Sequence, residues 1–261
     1  MGFFASSRKR ARQRAAKAEE KQFVRSVIRQ DFPDLEVRHG PFRGMKYPCA
    51  DSVGSTLFPK LLGSYESELH PILETVFARE YTDIVDVGCA EGYYAVGLGL
   101  RFPDAMLHAY DVNGKARELC REMAELNGID ANRLRVAGKL DCSSLHAFEF
   151  AGCALIVSDC EGFEKELFAP ETPGFMARHD FLIEAHDMVD IHISGYLKNI
   201  FSSTHDAVVI ESVDDIHKAQ RYQYPELEKF SLPERKILLS EERRSTMEWL
   251  LLLSRHSDSR R

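Results

Sequence analysis

Six carboxylates and two glycines in this chain have types and spacing that could do chemistry together. Asp86 sits inside the short apolar run Ile84-Val85-Asp86-Val87, and Gly88 and Gly92 follow it, four residues apart. Asp111 closes a second apolar run, 23 residues beyond Gly88. Asp159 and Glu161 follow a third run, and Glu184, His186 and Asp187 end a fourth. A strand, a tight glycine turn and a helix bring backbone close to a nucleotide-like ligand. The same turn also occurs as plain structure with no ligand. Asp111 has the position to accept both hydroxyls of a ribose, or to cap a turn. His186 titrates near neutrality, which suits proton transfer, although a histidine at a strand end also serves simply to bond backbone.

These residues need elements to hold them. Strands are predicted over 84–87, 105–110, 134–137, 154–158, 180–185, 207–211 and 246–254, with helices over 93–101, 114–127, 163–168 and 190–201. Alternation of this kind implies parallel strands joined by right-handed crossovers, with helices on both faces. Ligands in such sheets bind beyond the carboxyl ends of the strands. The acids should therefore converge on one rim. Ahead of the sheet, residues 31–63 read as irregular, with a small hairpin over 37–47, and residues 64–79 read as a helix. Residues 1–30 read as a basic helical arm whose last turns, carrying Phe23, Val24, Val27 and Ile28, dock on the body. The expected organisation is an arm (1–30), a cap region with its leading helix (31–80), a ligand-binding domain (81–256) and a disordered tail (257–261).

Composition narrows the function classes. The chain has 261 residues, 44% hydrophobic and 29% charged, as in a globular protein. The arm carries a net charge of +7 and the remainder −14, so the body's electrostatics oppose a long nucleic-acid footprint. The arm could instead meet a membrane surface or a protein partner. Met1-Gly2-Phe3-Phe4-Ala5-Ser6 also fits a loose N-myristoylation pattern. Six cysteines lie scattered without a C-x-x-C pair. With a basic start that runs into more charge, they lead to the expectation of free thiols in a cytoplasmic protein.

The ligand is read from the turn. Its spacing is G-x-A-x-G, not the dinucleotide G-x-G-x-x-G, and Glu91 within it would disfavour a nearby pyrophosphate. S-adenosylmethionine carries a sulfonium and an ammonium and no phosphate, so acids at the rim favour it over NAD. The segments Asp86-Val-Gly-Cys-Ala-Glu-Gly-Tyr-Tyr94, Tyr110-Asp-Val-Asn113, Ser158-Asp-Cys-Glu-Gly-Phe-Glu-Lys-Glu-Leu-Phe168 and Leu182-Ile-Glu-Ala-His-Asp187 resemble the FkbM-type family of S-adenosylmethionine-dependent methyltransferases. Asp159-Cys-Glu-Gly-Phe-Glu164 is the most telling of them, and Ser240-Glu-Glu-Arg243 a weaker one. The resemblance covers about residues 64–254.

That resemblance implies a Rossmann-like methyltransferase fold: a mostly parallel seven-stranded sheet with an antiparallel last strand. It implies O-methylation of a sugar, glycan or natural-product hydroxyl. Asp86, Gly88, Cys89, Ala90 and Gly92 would surround the methionine part of the cofactor, with Tyr93 and Tyr94 opening the helix beneath. Asp111 would take the ribose, Val112 and Asn113 would flank the adenine, and Lys139 to Cys142 would close its far side, with Asp141 accepting from the adenine's amino group and Cys142 beside it. His186 or Asp159 would receive the acceptor proton. Glu161 would hold a substrate hydroxyl or bond within its own turn. Asp159, Glu184 and Asp187 are the candidate ligands for a divalent cation, magnesium or manganese. The rival readings are a nicotinamide-dependent oxidoreductase and a non-catalytic binding module.

Overall fold

A computed structural model describes residues 2–243 and 245–256, with side chains from residue 12 onward. Seven strands form one sheet: β1 (Asp83–Val87), β2 (Met106–Tyr110), β3 (Leu134–Ala137), β4 (Ala154–Ser158), β5 (Asp180–Ala185), β6 (His205–Glu211) and β7 (Glu248–Ser254). Their order is β3-β2-β1-β4-β5-β7-β6. The first five are parallel, and β7 inserts antiparallel between β5 and β6. β1, β4 and β5 are buried along their whole length, which is why they read as continuous apolar runs rather than alternating ones. β6 is the edge strand, and most of its residues face solvent.

Register decides where the site lies. Val87 pairs with Tyr110 on one side and with Ser158 on the other, and Ser158 pairs with Ile183. The next residue in each chain, Gly88, Asp111, Asp159 and Glu184, therefore emerges at one level along one edge. The expected convergence of strand ends is thus built into hydrogen-bond pairing.

Helices cover both faces. α1 (Gly2–Asp31), α2 (Leu57–Leu62), α3 (His70–Phe77), α4 (Tyr93–Arg101) and α5 (Gly114–Leu126) are followed by the short α6 (Cys142–His146), α7 (Glu164–Leu167) and α8 (Thr172–Phe175). Then come α9 (Ile193–Phe201), α10 (Asp215–Arg221) and α11 (Leu232–Leu238). α5 is amphipathic: Ala116, Leu119, Cys120 and Met123 face inward, and Asn113 caps its start by accepting from the Lys115 N–H. One core layer joins α4 and the N-terminal segment to the sheet through Phe32, Phe58, Leu61 and Trp249. The other packs α9 on the opposite face through Phe168, Phe181, Leu197 and Phe201.

Three stretches differ from expectation. The hairpin over 37–47 is a single antiparallel bridge, Glu36 to Lys46, with α2 formed downstream of it. The helix over 64–79 is a 3-10 turn and then α3, which starts where Pro71 fits the first turn. The polar connection 212–245 folds into α10 and α11. Asp214 caps the first, and Ser231 with Glu234 forms a capping box at the second. α1 runs as one helix, exposed from residue 12 to 22, with Val27 and Ile28 buried and the ring of Phe23 edge-on to Phe230. Met1, with its acylation pattern, and the tail from residue 257 lie outside the described residues.

Candidate active site

The glycine turn is shaped by close approach. Gly88 has φ 87°, and a Cβ there would stand 1.7 Å from the Asp159 carbonyl oxygen. Only glycine lets the ends of β1 and β4 meet this tightly. Gly88 and Cys89 donate their N–H groups to the Tyr110 carbonyl at 2.8 and 3.0 Å, and Gly92 donates to Cys89 at 2.7 Å. The Ala90 N–H donates to the Asp111 carboxylate at 2.9 Å. Asp86 is buried and accepts the Ala95 N–H at 2.8 Å, which anchors α4. Burial pushes its carboxyl up to about 7.

Glu91 does not meet the ligand as the sequence suggested. It is buried, pairs with Lys60 at 2.5 Å, and accepts from Ser52 Oγ and the Val53 N–H, each at 2.9 Å. Burial opposes its charge, but Lys60 holds its carboxyl below the ordinary range. Its work is to fasten residues 52–60 onto the turn.

A cavity of about 810 Å³ opens at this rim. On one side Gly88, Cys89, Ala90, Asp111, Val112 and Asn113 line it, with Tyr93 beneath. Asp111 also accepts the Asn113 N–H at 2.7 Å, so both its oxygens brace neighbouring turns while the side chain stays half-exposed. Asp141 and Cys142 are not in this wall. Asp141 caps α6 by accepting from the Ser144 N–H and Ser143 Oγ, each at 2.8 Å, and Cys142 faces His146 and Thr172. The chain has already turned away at α6, so of the expected segment 139–142 only Lys139 and Leu140 line the cavity, together with Gly138.

The other side is acidic. Asp159, Glu161, Glu184 and His186 line it together with Tyr65, Glu66, Glu241 and Arg243. His186 is buried; its Nδ1 lies 2.6 Å from Glu164 Oε1, and its Nε2 is 3.4 Å from Asp159 and 3.8 Å from Glu184. Burial pulls its pKa down, but the bond to Glu164 and the charges of Asp159 and Glu184 outweigh this and raise it to about 9. Burial raises Asp159 to about 7. Burial, with Asp159 nearby, raises Glu184 to about 8. Glu161 stands at the mouth with its side chain 80% exposed. Asp187 is turned aside: it accepts from the Ser194 N–H at 2.8 Å and Ser194 Oγ at 2.5 Å, at the start of α9.

Glu66 and Lys218 were not found by sequence reasoning, and Arg243, Glu241 and Tyr94 were named there without these partners. Arg243 bonds Glu66 at 2.7 Å and Glu241 at 3.0 Å, and also Glu184. Lys218 pairs with Glu241, and Tyr94 donates to Glu66. Burial raises Glu66 to about 8 despite Arg243. Glu66 and Arg243 are 177 residues apart, and no local spacing announces such a pair. A second groove, of about 890 Å³, runs along β2 past His108, Arg135 and Phe148, away from the acids.

Comparison with known proteins gives partial matches. No family model matches the chain. A stretch of 43 residues is 46% identical to the release factor glutamine methyltransferase of Synechocystis sp., covering 16% of this chain and 14% of that protein. A stretch of 46 residues is 48% identical to the uncharacterized protein YbxB of Bacillus subtilis, covering 18% of this chain and 23% of that protein. The chain thus spans less than a quarter of either curated relative's length. Among solved structures, precorrin-6y C5,15-methyltransferase from Geobacter metallireducens is similar with a TM-score of 0.44 at 8% identity, covering 71% of this chain and 88% of that one. The strand order, with β7 antiparallel between β5 and β6, gives this chain a Rossmann-like methyltransferase fold.

Proposed function

We propose that the chain is an S-adenosylmethionine-dependent O-methyltransferase acting on a hydroxyl of a sugar, glycan or related natural-product precursor. The observation that carries this is the cavity in which the glycine turn and Asp111 face an acidic wall across one rim. Its volume, about 810 Å³, suits a small-molecule cofactor and an acceptor together. The N–H groups of Gly88, Cys89, Ala90 and Gly92 are all committed to the protein's own acceptors, Tyr110, Asp111 and Cys89, so they form no cradle for a pyrophosphate. That donor set fits a cationic, phosphate-free ligand better than a dinucleotide. The resemblance to FkbM-type sequences supports the acceptor class.

S-adenosylmethionine supplies an electrophilic methyl group on a sulfonium. The chain's own residues do the rest. Asp111 receives the ribose hydroxyls, with Val112 and Asn113 beside the adenine and Gly138–Leu140 beyond it. Gly88, Cys89 and Ala90 shape the space for the methionine part. Tyr65, Tyr93 and Tyr94 keep water from the floor. Asp159 faces the cavity and takes the acceptor proton. His186, the other candidate from sequence, is tied to Glu164 and positions Asp159 instead. Glu161, at the mouth, meets the acceptor's outer hydroxyls. Among the described residues no helix is long and apolar enough to cross a membrane. We place the reaction in the cytoplasm, where the chain's free cysteines stay reduced.

The test is calorimetric titration of the purified chain with S-adenosylmethionine and with NAD, followed by a labelled-methyl screen against sugar nucleotides and glycan fragments. Binding of S-adenosylmethionine and transfer to a hydroxyl is the expected result. Binding of NAD alone would replace the reading with an oxidoreductase. Cofactor binding without turnover of any acceptor, together with loss of an interaction on deleting residues 1–30, would favour a binding module.

A further inference from the structure

We propose that Asp159, Glu184 and His186 form a binding site for one divalent transition cation of the manganese type, with its open positions facing the acceptor side of the cavity. The three side chains come from the ends of two adjacent strands, β4 and β5. Each offers one ligand atom, and the three atoms lie within 4.8 Å of one another. His186 Nε2 is 3.4 Å from Asp159 Oδ1 and 3.8 Å from Glu184 Oε2. Neighbouring ligands on an octahedral ion at about 2.1 Å sit roughly 3 Å apart, so the two histidine contacts need a contraction of under ~1 Å and the carboxylate pair one of under ~2 Å to close the face.

Two further observations point to a ligand rather than to idle side chains. Asp159 Oδ1 is buried and has no hydrogen-bond partner, which is costly for a carboxylate oxygen. His186, 4% exposed, makes its hydrogen bond through Nδ1 alone, to Glu164. Glu164 accepts at Nδ1–H in the manner that orients metal-bound histidines, which leaves Nε2 as the atom that gives up its proton when an ion binds. Nε2 faces both Asp159 and Glu184. Glu164 is itself held by the Gly162 N–H at 3.2 Å, so the second layer is ordered too. Arg243 occupies only Oε1 of Glu184 and leaves Oε2 toward the histidine.

The ligand set differs from the one read off the sequence. Asp187, expected as a ligand, is engaged by Ser194, and His186 takes its place. One imidazole and two carboxylates suit manganese or ferrous iron better than an all-oxygen ion such as calcium. Three protein ligands on one face leave room for two acceptor oxygens and a water, with Asp159 bound through Oδ1 and its Oδ2 left for the acceptor proton. That service to the acceptor rests on the methyl-transfer reading; the binding of the ion does not.

The experiment titrates chelator-stripped full-length protein with Mn²⁺ and follows loss of the free-ion signal by electron paramagnetic resonance. One ion per chain is expected. Asp159→Asn and His186→Gln should each weaken binding at least about tenfold, and Glu164→Gln should weaken it by about 10–100-fold through the histidine. Asp187→Asn should leave it unchanged. Circular dichroism and a melting curve on each variant separate lost binding from lost folding, and the cavity-facing Asp159→Asn is the variant expected to fold in every case. No Mn²⁺ uptake up to millimolar concentration overturns the site, as does uptake that survives Asp159→Asn. S-adenosylmethionine binding measured on the same samples keeps the two readings apart, since the site can fail while the cofactor still binds.

Discussion

Two buried clusters of charge face each other across the cavity. At the glycine turn, Lys60 and Glu91 make one pair, with side chains 3% and 1% exposed, and Ser52 and Val53 complete the carboxylate's bonds. At the ends of β4 and β5, five carboxylates (Glu66, Asp159, Glu164, Glu184, Glu241) share three basic groups, Arg243, Lys218 and His186. The first cluster balances, and its carboxyl is held low. The second has acids in excess, and Glu66 and Glu184 are pushed to about 8. A balanced buried pair is what a wall needs. Surplus carboxylates aimed into a cavity raise the cost of the folded chain, and that cost falls when a proton, a metal ion or a cationic ligand arrives. The contrast separates the anchoring side of the cavity from the side proposed to meet the acceptor.

The largest expected effect breaks the balanced pair. Lys60→Met should destabilise the fold by about 3–5 kcal/mol in urea titration, because it leaves Glu91 buried and uncompensated. Lys60→Met with Glu91→Leu should recover most of that loss. If the single variant is as stable as the parent, the anchoring role of this pair is wrong. Arg243→Met should cost less, about 1–3 kcal/mol, because the acids it bonds can take up protons instead of remaining charged.

A third prediction uses opposite signs of pH dependence. Glu66 lies against Arg243, Glu184, Glu241 and Tyr94, and its folded value of about 8 stands above the ordinary 4.5. The folded chain keeps a proton there that the unfolded chain releases, so this group makes stability fall as pH rises from about 4.5 to 8. Glu66→Gln should flatten that decline in melting temperature against pH. Glu91, held low, behaves in reverse: its contribution is present above the unfolded value and is lost as pH falls through the folded one. An unchanged slope between about pH 4.5 and 8 in Glu66→Gln would show that Glu66 is charged in the folded chain. The smallest effect belongs to the exposed pair Lys17–Glu242 at 3.0 Å, where Lys17→Ala should change stability by less than about 0.5 kcal/mol.

The catalytic geometry was less legible in the sequence than the fold. Asp86, Gly88, Asp111, Asp159 and Glu184 could be placed because each sits at the end of an apolar run, a local signal. Asp141 and Asp187 follow the same pattern yet serve as caps for α6 and α9, and adjacency cannot tell a cap from a ligand. Ser231-Leu-Pro-Glu234 carried a readable capping box, so α11 could have been found. The pairings of Lys60 with Glu91 and of Arg243 with Glu184 and Glu66 could not, because they join residues 31, 59 and 177 positions apart.

What the sequence determined by itself is the succession of strands and helices, and with it the rim at which a ligand must sit. Burial of whole strands and the turn-forming glycines are short-range effects that a few residues suffice to impose. Only the tertiary structure decided which acids remain free to act, since that depends on which distant cation or backbone N–H reaches them first. Charge compensation acts through space at hydrogen-bond distance, and a chain's order along its length does not record it.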